Sequence, residues 1–446
     1  MPLPALFAIL VAALVGAAVV ARSGTRSLPL RALAGALGGG LGALAVSAPI
    51  DFCTFSDEYE TKDYVFGLVL MAAGAAAGIA AARAAMAPER KPDTNATSHS
   101  VWRNWWMPWL LLSPTLAVLV VFLYWPAIET IRYSTKLARL SNPKQVDRCV
   151  YNFTELIGPS RPWLALVLAG LGMVGIAAGV LLDRQGRRVA RSARTIVSAV
   201  SAISLFAALA FIFTDDYRQV YVVTMIISVG TVVGGLVISL GIAFIAYQPI
   251  RGASVYRTLL IWPYAISPPI AGLLFFVIFD ANTGIIDHWT TTLLDTGLAD
   301  YRTTPVLAQL VVIMASIWKT LGYNLLFYVA GLQTIPPDQV EAAMIDGASA
   351  WQRFRYVVIP ALSPITFFLI VTNLTYAFFE TYGTIDYLTK GGPAGATNVA
   401  MYEIIQVFNT GGDLGRGSAQ SMILFAGVVG LTMWQFRSTG RRVTYG

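Results

Sequence analysis

The sequence predicts an all-α polytopic membrane protein, and three observations carry that prediction. Hydrophobic residues make up 56% of the chain and charged residues only 12%, about half the charged share of an ordinary soluble domain. Apolar stretches recur at the length, about 20 residues, that a helix needs to cross a bilayer. Arginine and lysine gather in alternate connections between those stretches, the asymmetry that orients membrane helices. A net charge of +7 would suggest nucleic acid in a soluble protein. Here the basic connections account for it, so membrane lipid is the implied partner and nucleic acid is not.

In chain order the apolar stretches are 4–21, 30–50, 64–86, 107–127, 163–182, 195–213, 219–247, 257–279, 305–332, 362–383 and 418–436. The first resembles a signal peptide in length. It lacks a basic leading region and a small-residue cleavage site before Arg22 and Arg26, so it is read as a retained helix. The second carries Gly35, Gly38, Gly39, Gly40 and Gly42, which let helix backbones approach closely and are read as packing positions. Residues 87–104, APERKPDTNATSHSVWRN, are polar, hold two prolines and show no apolar period. They read as a linker, cytoplasmic by the charge distribution, that separates a three-helix unit at 1–86 from the remainder at 105–446. Trp102, Trp105, Trp106 and Trp109 suit an interfacial aromatic belt.

Basic residues order the connections. Arg22, Arg26 and Arg31 follow the first stretch; Arg83, Arg90, Lys91 and Arg103 flank the third; Arg184, Arg187, Arg188, Arg191 and Arg194 crowd the turn between the fifth and sixth. Arg251 and Arg257 precede the eighth, and Arg437, Arg441 and Arg442 end the chain. All of these fall on one side, which the positive-inside rule makes the cytoplasm. The N-terminus is then external and the C-terminus cytoplasmic. The acidic loop 51–63 falls outside, and so does the basic loop 128–162, which opposes the rule locally.

Residues 341–364, EAAMIDGASAWQRFRYVVIPALSP, are a polar interruption between two apolar runs on the cytoplasmic side. Pro336, Pro337 and Asp338 supply helix-start chemistry. Glu341, Ala342 and Ala343 belong to the short helix that follows, and Gly347 permits a turn after it. Asp346 is placed to cap a second short helix. That helix is amphipathic, with Trp351, Phe354 and Val358 at helical spacing, and Pro360 and Pro364 close it.

This stretch resembles the EAA motif of ABC importer permeases, through Glu341-Ala342-Ala343, Gly347, Pro360 and Pro364, with Val357 and Ile359 where Ile and Leu are usual. From about Trp105 onward the chain is similar to permeases of the maltose type. The segments 113–134, 256–280 and 387–404 carry the likeness, and 317–336 and 371–393 look most like the glycerol-3-phosphate branch. The resemblance implies a six-helix type I ABC importer permease core with about five extra transmembrane helices: the N-terminal three and a hairpin inserted at about 163–213. It implies no catalysis and no bound cofactor in this chain. ATP and Mg would be used by a partner ATPase, consistent with the lack of any GxxxxGK[ST] sequence. The implied partners are a second permease subunit, an ATPase dimer and an external solute-binding protein, at a bacterial inner membrane. Glu341, Ala342, Ala343, Asp346, Gly347 and Pro360 would dock the ATPase.

Ionisable residues at membrane depth mark pathways. Lys319 lies inside the ninth stretch with Tyr323 and Asn324 one to one and a half turns on; Asn373, Tyr376, Glu380 and Thr381 follow helical spacing late in the tenth. The resemblance makes these two helices the substrate carriers. Lys319 suits a phosphate, with hydroxyls and amides for a glycerol or sugar part. Pairing of Lys319 with Glu380, or extension of Lys319 to the interface, are the alternatives. The substrate reading is glycerol-3-phosphate or a glycerophosphodiester, against a neutral oligosaccharide. An ion-coupled secondary transporter suits the buried charges but not the docking loop.

Gly391-Gly392-Pro393 reads as an external turn toward a docked binding protein, or as a simple loop break. Cys53 and Cys149 both fall outside, where an oxidising compartment permits a disulfide; two free thiols are the alternative. Asn95-Ala-Thr and Asn152-Phe-Thr match the glycosylation pattern and are read as chance.

Overall fold

The computed structural model describes residues 3–21, 31–43, 61–86, 107–147, 151–158, 162–184, 200–201, 204, 207–208, 210–247, 252–281, 283–294 and 300–439. Cys53, Cys149, Asn95 and the stretch 87–104, read from the sequence as a linker, lie outside them. The chain forms two compact units, Met1–Glu155 with Val407–Met422, and Leu156–Gln406 with Ile423–Gly446.

The first unit begins with three helices, α1 (Leu3–Ala21), α2 (31–43) and α3 (Thr61–Met86). Their glycines are packing positions, as the sequence suggests. A Cβ on Gly35 would collide with the Gly16 carbonyl, one on Gly38 with that of Gly78, and one on Gly42 with that of Gly74. Next comes α4 (Met107–Leu119), a wide turn over Val120–Tyr124, and α5 (Trp125–Ser134). Pro126 has no N–H and its ring crowds the carbonyl four residues back, which explains the widening just before it. Within the span Leu111–Ser134, 0% of the apolar window is buried.

The sequence reading missed a small hairpin, β1 (Lys136–Arg139) and β2 (Asn142–Asp147), antiparallel with Leu137 opposite Val146 and a bulge between Leu137 and Arg139. Leu140 N–H donates to the Gly412 carbonyl at 2.8 Å and Arg139 lies 3.6 Å from Asp413, which fastens the hairpin. α6 (Tyr151–Thr154) follows. Asn152 is buried there and donates to the Ser134 and Lys136 carbonyls at 2.9 and 3.0 Å, a structural role.

The second unit starts with α7 (Pro162–Arg184) and the helical residues of α8 within 200–210. Its centre is α9 (Asp215–Ala246) packed along α13 (Pro305–Gln333). Between them in sequence lie α10 (Ala253–Ala265), α11 (Pro268–Ile278) and α12 (Ile285–Leu294). The expected straight span at 257–279 is corrected: α10 and α11 meet at 103°. Ile266 and Ser267 are extended, as residues before proline are driven to be, and Pro268 and Pro269 offer no N–H to carry the helix on.

The chain continues through α14 (Pro337–Ile345), α15 (Ala350–Arg353), a wide turn Phe354–Val358, α16 (Ile359–Ala361), α17 (Ser363–Phe379), α18 (Thr381–Leu388) and α19 (Ala400–Asn409). The last helix is α20 (Leu414–Thr439). Pro360 sits two residues past the second wide turn, as Pro126 does past the first. Among the described residues, three helices are long and apolar enough to cross a membrane; two bent pairs raise that to five.

Two apolar layers form the core of the second unit. One gathers Val223, Ile227, Phe275, Val312, Ala315 and Ile385; the other gathers Leu236, Leu325, Tyr328, Leu332, Leu362 and Leu369. Between them α9, α13, α17 and α18 contribute buried polar residues, including Thr231, Ser316, Lys319, Thr320, Asn324, Asn373 and Thr381. That polar layer holds most of the sequence-derived substrate candidates.

Candidate functional site

The 341–364 loop is two short helices joined by a glycine turn. Glu341, Ala342 and Ala343 lie on α14; Glu341 and Ala342 are exposed. Gly347 has φ +77°, a left-handed value that L side chains avoid. Ala348 N–H then returns to the Ala343 carbonyl at 2.9 Å. Asp346 does not cap the second helix. It ends the first, its N–H donating to Ala342, and Ser349 begins the second with a capping box. Ser349 N–H donates to Gln352 Oε1 at 2.7 Å, and Gln352 N–H to Ser349 Oγ at 3.3 Å. The turn at Gly347 and Ala348 puts the helix start three residues beyond Asp346, out of its reach.

The apolar spacing of the second helix also divides differently. Val358 is buried and Phe354 packs on Phe244 of α9, with ring centroids 4.9 Å apart, whereas Trp351 is exposed. Ile345 is 87% exposed and Trp351 68%; Met344 and Tyr356 are also exposed, which gives the loop an uncovered apolar surface. Pro360 is exposed at its far end. The signal for this surface was in the sequence: large apolar residues inside a polar interruption.

At membrane depth the break between α10 and α11 decides the position of Lys319. In a continuous helix the Tyr264 carbonyl would accept from the N–H four residues on, but that residue is Pro268, which has none. Lys319 Nζ takes the place of the missing donor, 2.7 Å from the Tyr264 carbonyl and 4.8 Å from the centre of its ring. Lys319 is 6% exposed; its hydrogen bond goes to that carbonyl, and the Glu380 carboxylate acts on it through space. Tyr323 packs on Tyr264 and Phe327, at centroid distances of 5.3 and 4.9 Å.

The proposed face of the tenth stretch is not continuous. α17 ends at Phe379, Glu380 is the exposed cap residue and Thr381 starts α18, so 373 to 381 are not one helical face. Asn324 and Asn373 bond each other: Asn373 Nδ2 to Asn324 Oδ1 at 2.6 Å, Asn324 Nδ2 to Asn373 Oδ1 at 3.2 Å. The Tyr376 hydroxyl is buried beside Thr384 without a complete hydrogen bond, and the Thr381 hydroxyl is buried without one. Lys319 and Tyr323 thus come together with Tyr264, the two asparagines pair off, and the exposed Glu380 carboxylate acts on Lys319 and Tyr376 through space without a hydrogen bond to either.

Sequence reasoning missed the polar groups facing α13 from α9. Ser228 and Thr231, with Ser316 on α13, are buried and their hydroxyls have no hydrogen-bond partner. The spacing of three between Ser228 and Thr231 in an apolar run was the available signal.

The end of the second unit where α9 and α13 begin is stapled. Gln219 donates to the Ala394 carbonyl and Gln309 to that of Ala396, each at 2.9 Å, while the Thr389 and Thr397 hydroxyls lie 2.7 Å apart. These bonds hold the Gly391-Gly392-Pro393 turn over the ends of α9 and α13. Nearby, Arg302 bridges Asp280 and Asp300 at 3.2 and 3.1 Å.

Residues 235–434 match the family described as binding-protein-dependent transport system inner membrane component. The chain is 39% identical over 301 residues to the sn-glycerol-3-phosphate transport system permease protein UgpA of Yersinia pestis, covering 65% of this chain and 100% of that protein. With the protein of the same name from Yersinia enterocolitica it shares 35% over 340 residues, covering 76% of this chain and 95% of the relative. For that of Rhizobium meliloti the identity is 41% over 235 residues, 52% of this chain and 78% of the relative. A solved bacterial ABC transporter involved in the import of the acidic polysaccharide alginate has the same fold, with TM-score 0.54 and 17% identity over 76% of this chain and 96% of that one. The chain belongs to the family of binding-protein-dependent transport system inner membrane components.

Proposed function

We propose that this chain is the membrane-spanning permease subunit of an ABC importer for sn-glycerol-3-phosphate or a related glycerophosphodiester. The observation that carries the substrate class is Lys319. It is a buried cation at membrane depth whose hydrogen bond goes to a backbone carbonyl, with the Glu380 carboxylate acting on it only through space, so an arriving phosphate can take the ammonium without displacing a bonded acid. Tyr323 and Thr381 would supply hydrogen bonds to the glycerol part. Glu380 and Tyr376 would border the path. The relatives named as sn-glycerol-3-phosphate permeases support the same substrate. A neutral oligosaccharide is the second reading, favoured by the aromatic pair Tyr264 and Tyr323.

Coupling runs through the 341–364 loop. Glu341, Ala342, Ala343, Asp346, Gly347 and Pro360, with the exposed Ile345 and Trp351, would enter a groove on a partner ATPase that binds Mg and ATP. A second permease subunit would complete the pathway, and an external solute-binding protein would deliver substrate; relatives of this family are named for that dependence. The assembly would lie in the bacterial inner membrane with the N-terminus external and the C-terminus cytoplasmic. A disulfide between Cys53 and Cys149 would tie residues 1–86 to the remainder.

The test is copurification of the chain with an ATPase subunit, followed by ATP hydrolysis with and without substrate-loaded binding protein. Stimulated hydrolysis by the wild type, lost in Gly347→Trp although that variant still inserts, is expected. Equal stimulation in Gly347→Trp would refute the docking role.

A further inference from the structure

The helices that enter and leave the docking loop are α13 and α17, and they are joined along a seam. At the cytoplasmic end Gly331 lies against Ile365 and Leu362, so closely that a Cβ would collide with the Ile365 side chain. Next, Phe327 packs on Phe368 with centroids 5.0 Å apart. Farther into the membrane, Asn324 and Asn373 exchange two hydrogen bonds, and Asn373 Nδ2 also donates to the Leu369 carbonyl at 2.8 Å. Contact positions descend on one helix as they ascend on the other, as an antiparallel pair requires. The amide rung is fully enclosed, with Asn324 0% and Asn373 2% exposed.

We infer that Asn324 and Asn373 are positioning residues: the inner clasp that makes α13, the docking loop and α17 move as one lever. This rests on the permease reading above. The sequence assigned both amides to the substrate, but each amide already satisfies the other. Parting the helices would strand donors and acceptors in apolar surroundings with no water to replace the bond. Leucines at these positions would pack as well and would let the helices slide. The clasp also has the right location. The helix rise sets it about 13–15 Å in from Gln333 and Ser363, and about 7 Å from Lys319 along α13. A stroke applied to the loop therefore reaches Lys319 without being absorbed between the arms. Phe327 against Phe368 has no directional bond and cannot fix the register alone.

Asn324→Leu, Asn373→Leu and the double variant test this in proteoliposomes with the partner subunits. The readouts are the ratio of stimulated to unstimulated ATP hydrolysis and the KM for sn-glycerol-3-phosphate uptake. The expected result is a ratio reduced at least about fivefold in all three, with KM shifted less than about twofold. A raised KM with the ratio kept would make the amides substrate ligands and overturn the clasp. A double variant with a wild-type ratio would mean that only an orphaned amide had mattered, which overturns the clasp as well. A wild-type complex without any stimulation would refute the transport reading, and the clasp with it. Should the double variant fail to insert, spin labels at Gln333→Cys and Ser363→Cys, with Cys53 and Cys149 replaced by serine, decide the matter. Their separation should change by less than about 2 Å between nucleotide-free and ATP-trapped states, and a larger change would overturn the clasp.

Discussion

Gly347 holds φ +77° in open space, with nothing within 4 Å of the position a Cβ would take. A substitution there meets backbone strain and no clash. A β-branched side chain in this region costs about 1–2 kcal/mol, while asparagine tolerates it. Gly347→Val should therefore lower stimulated ATP hydrolysis several-fold, and Gly347→Asn should keep most of it; equal loss in both would point to direct contact rather than to the turn. Lys319 gives a second residue-scale prediction. Lys319→Ala should remove uptake of sn-glycerol-3-phosphate, as measured with radiolabelled substrate, because it removes the cation and also leaves the Tyr264 carbonyl without its donor. Both residues could be singled out from the sequence, since a glycine after a short helix and a lysine inside an apolar run are local signals. The partner of Lys319 was not legible, because it is a backbone carbonyl exposed by a proline four positions further along. The Asn324–Asn373 bond was hidden for a similar reason: nothing local marks two amides 49 residues apart as a pair.

At the scale of elements, prolines and caps decide what hydropathy cannot. The stretch 257–279 reads as one span by length and apolar content, yet Ser267-Pro268-Pro269 breaks it at 103°. The break was written in the sequence and outweighed by the apolar count. Restoring an N–H with Pro268→Ala would give the Tyr264 carbonyl a helical partner and free Lys319. The expected outcome is a protein that inserts normally and takes up substrate more slowly; wild-type uptake would separate the break from the site. The capping box is a second element-scale device. Ser349→Ala should cost about 0.5–2 kcal/mol and raise amide exchange at Gln352 and Arg353 by a factor of about 2–30, without touching the membrane helices. Tyr301, whose hydroxyl donates to the Leu388 carbonyl, is a third device; burial pushes its phenol up to about 12. A folded-state value above the ordinary ~10 means that its contribution is complete below pH ~10 and lost as pH rises through about 12. Exchange at Thr389 and Lys390 should therefore rise over that window, and Tyr301→Phe should flatten it.

At the scale of the whole molecule, the alternation of apolar stretches and basic connections was enough to predict the fold class, and the family match over residues 235–434 agrees with it. The two-stranded hairpin escaped because four to six residues in a polar loop show no usable period. The three N-terminal helices pack on one another through glycine and backbone, which explains their composition. In the second unit a polar layer holding Lys319 lies between two apolar layers, and the helix that carries Lys319 leads directly into the loop expected to meet the ATPase. Transport driven from that loop is the central claim. Its most direct test is accumulation of radiolabelled sn-glycerol-3-phosphate in proteoliposomes holding this chain, a second permease and the ATPase pair, with the binding protein outside. The account predicts saturable uptake that needs both ATP and the binding protein and that Lys319→Ala abolishes. Uptake driven by an ion gradient without ATP, or ATP-driven uptake of neutral oligosaccharide alone, would contradict it.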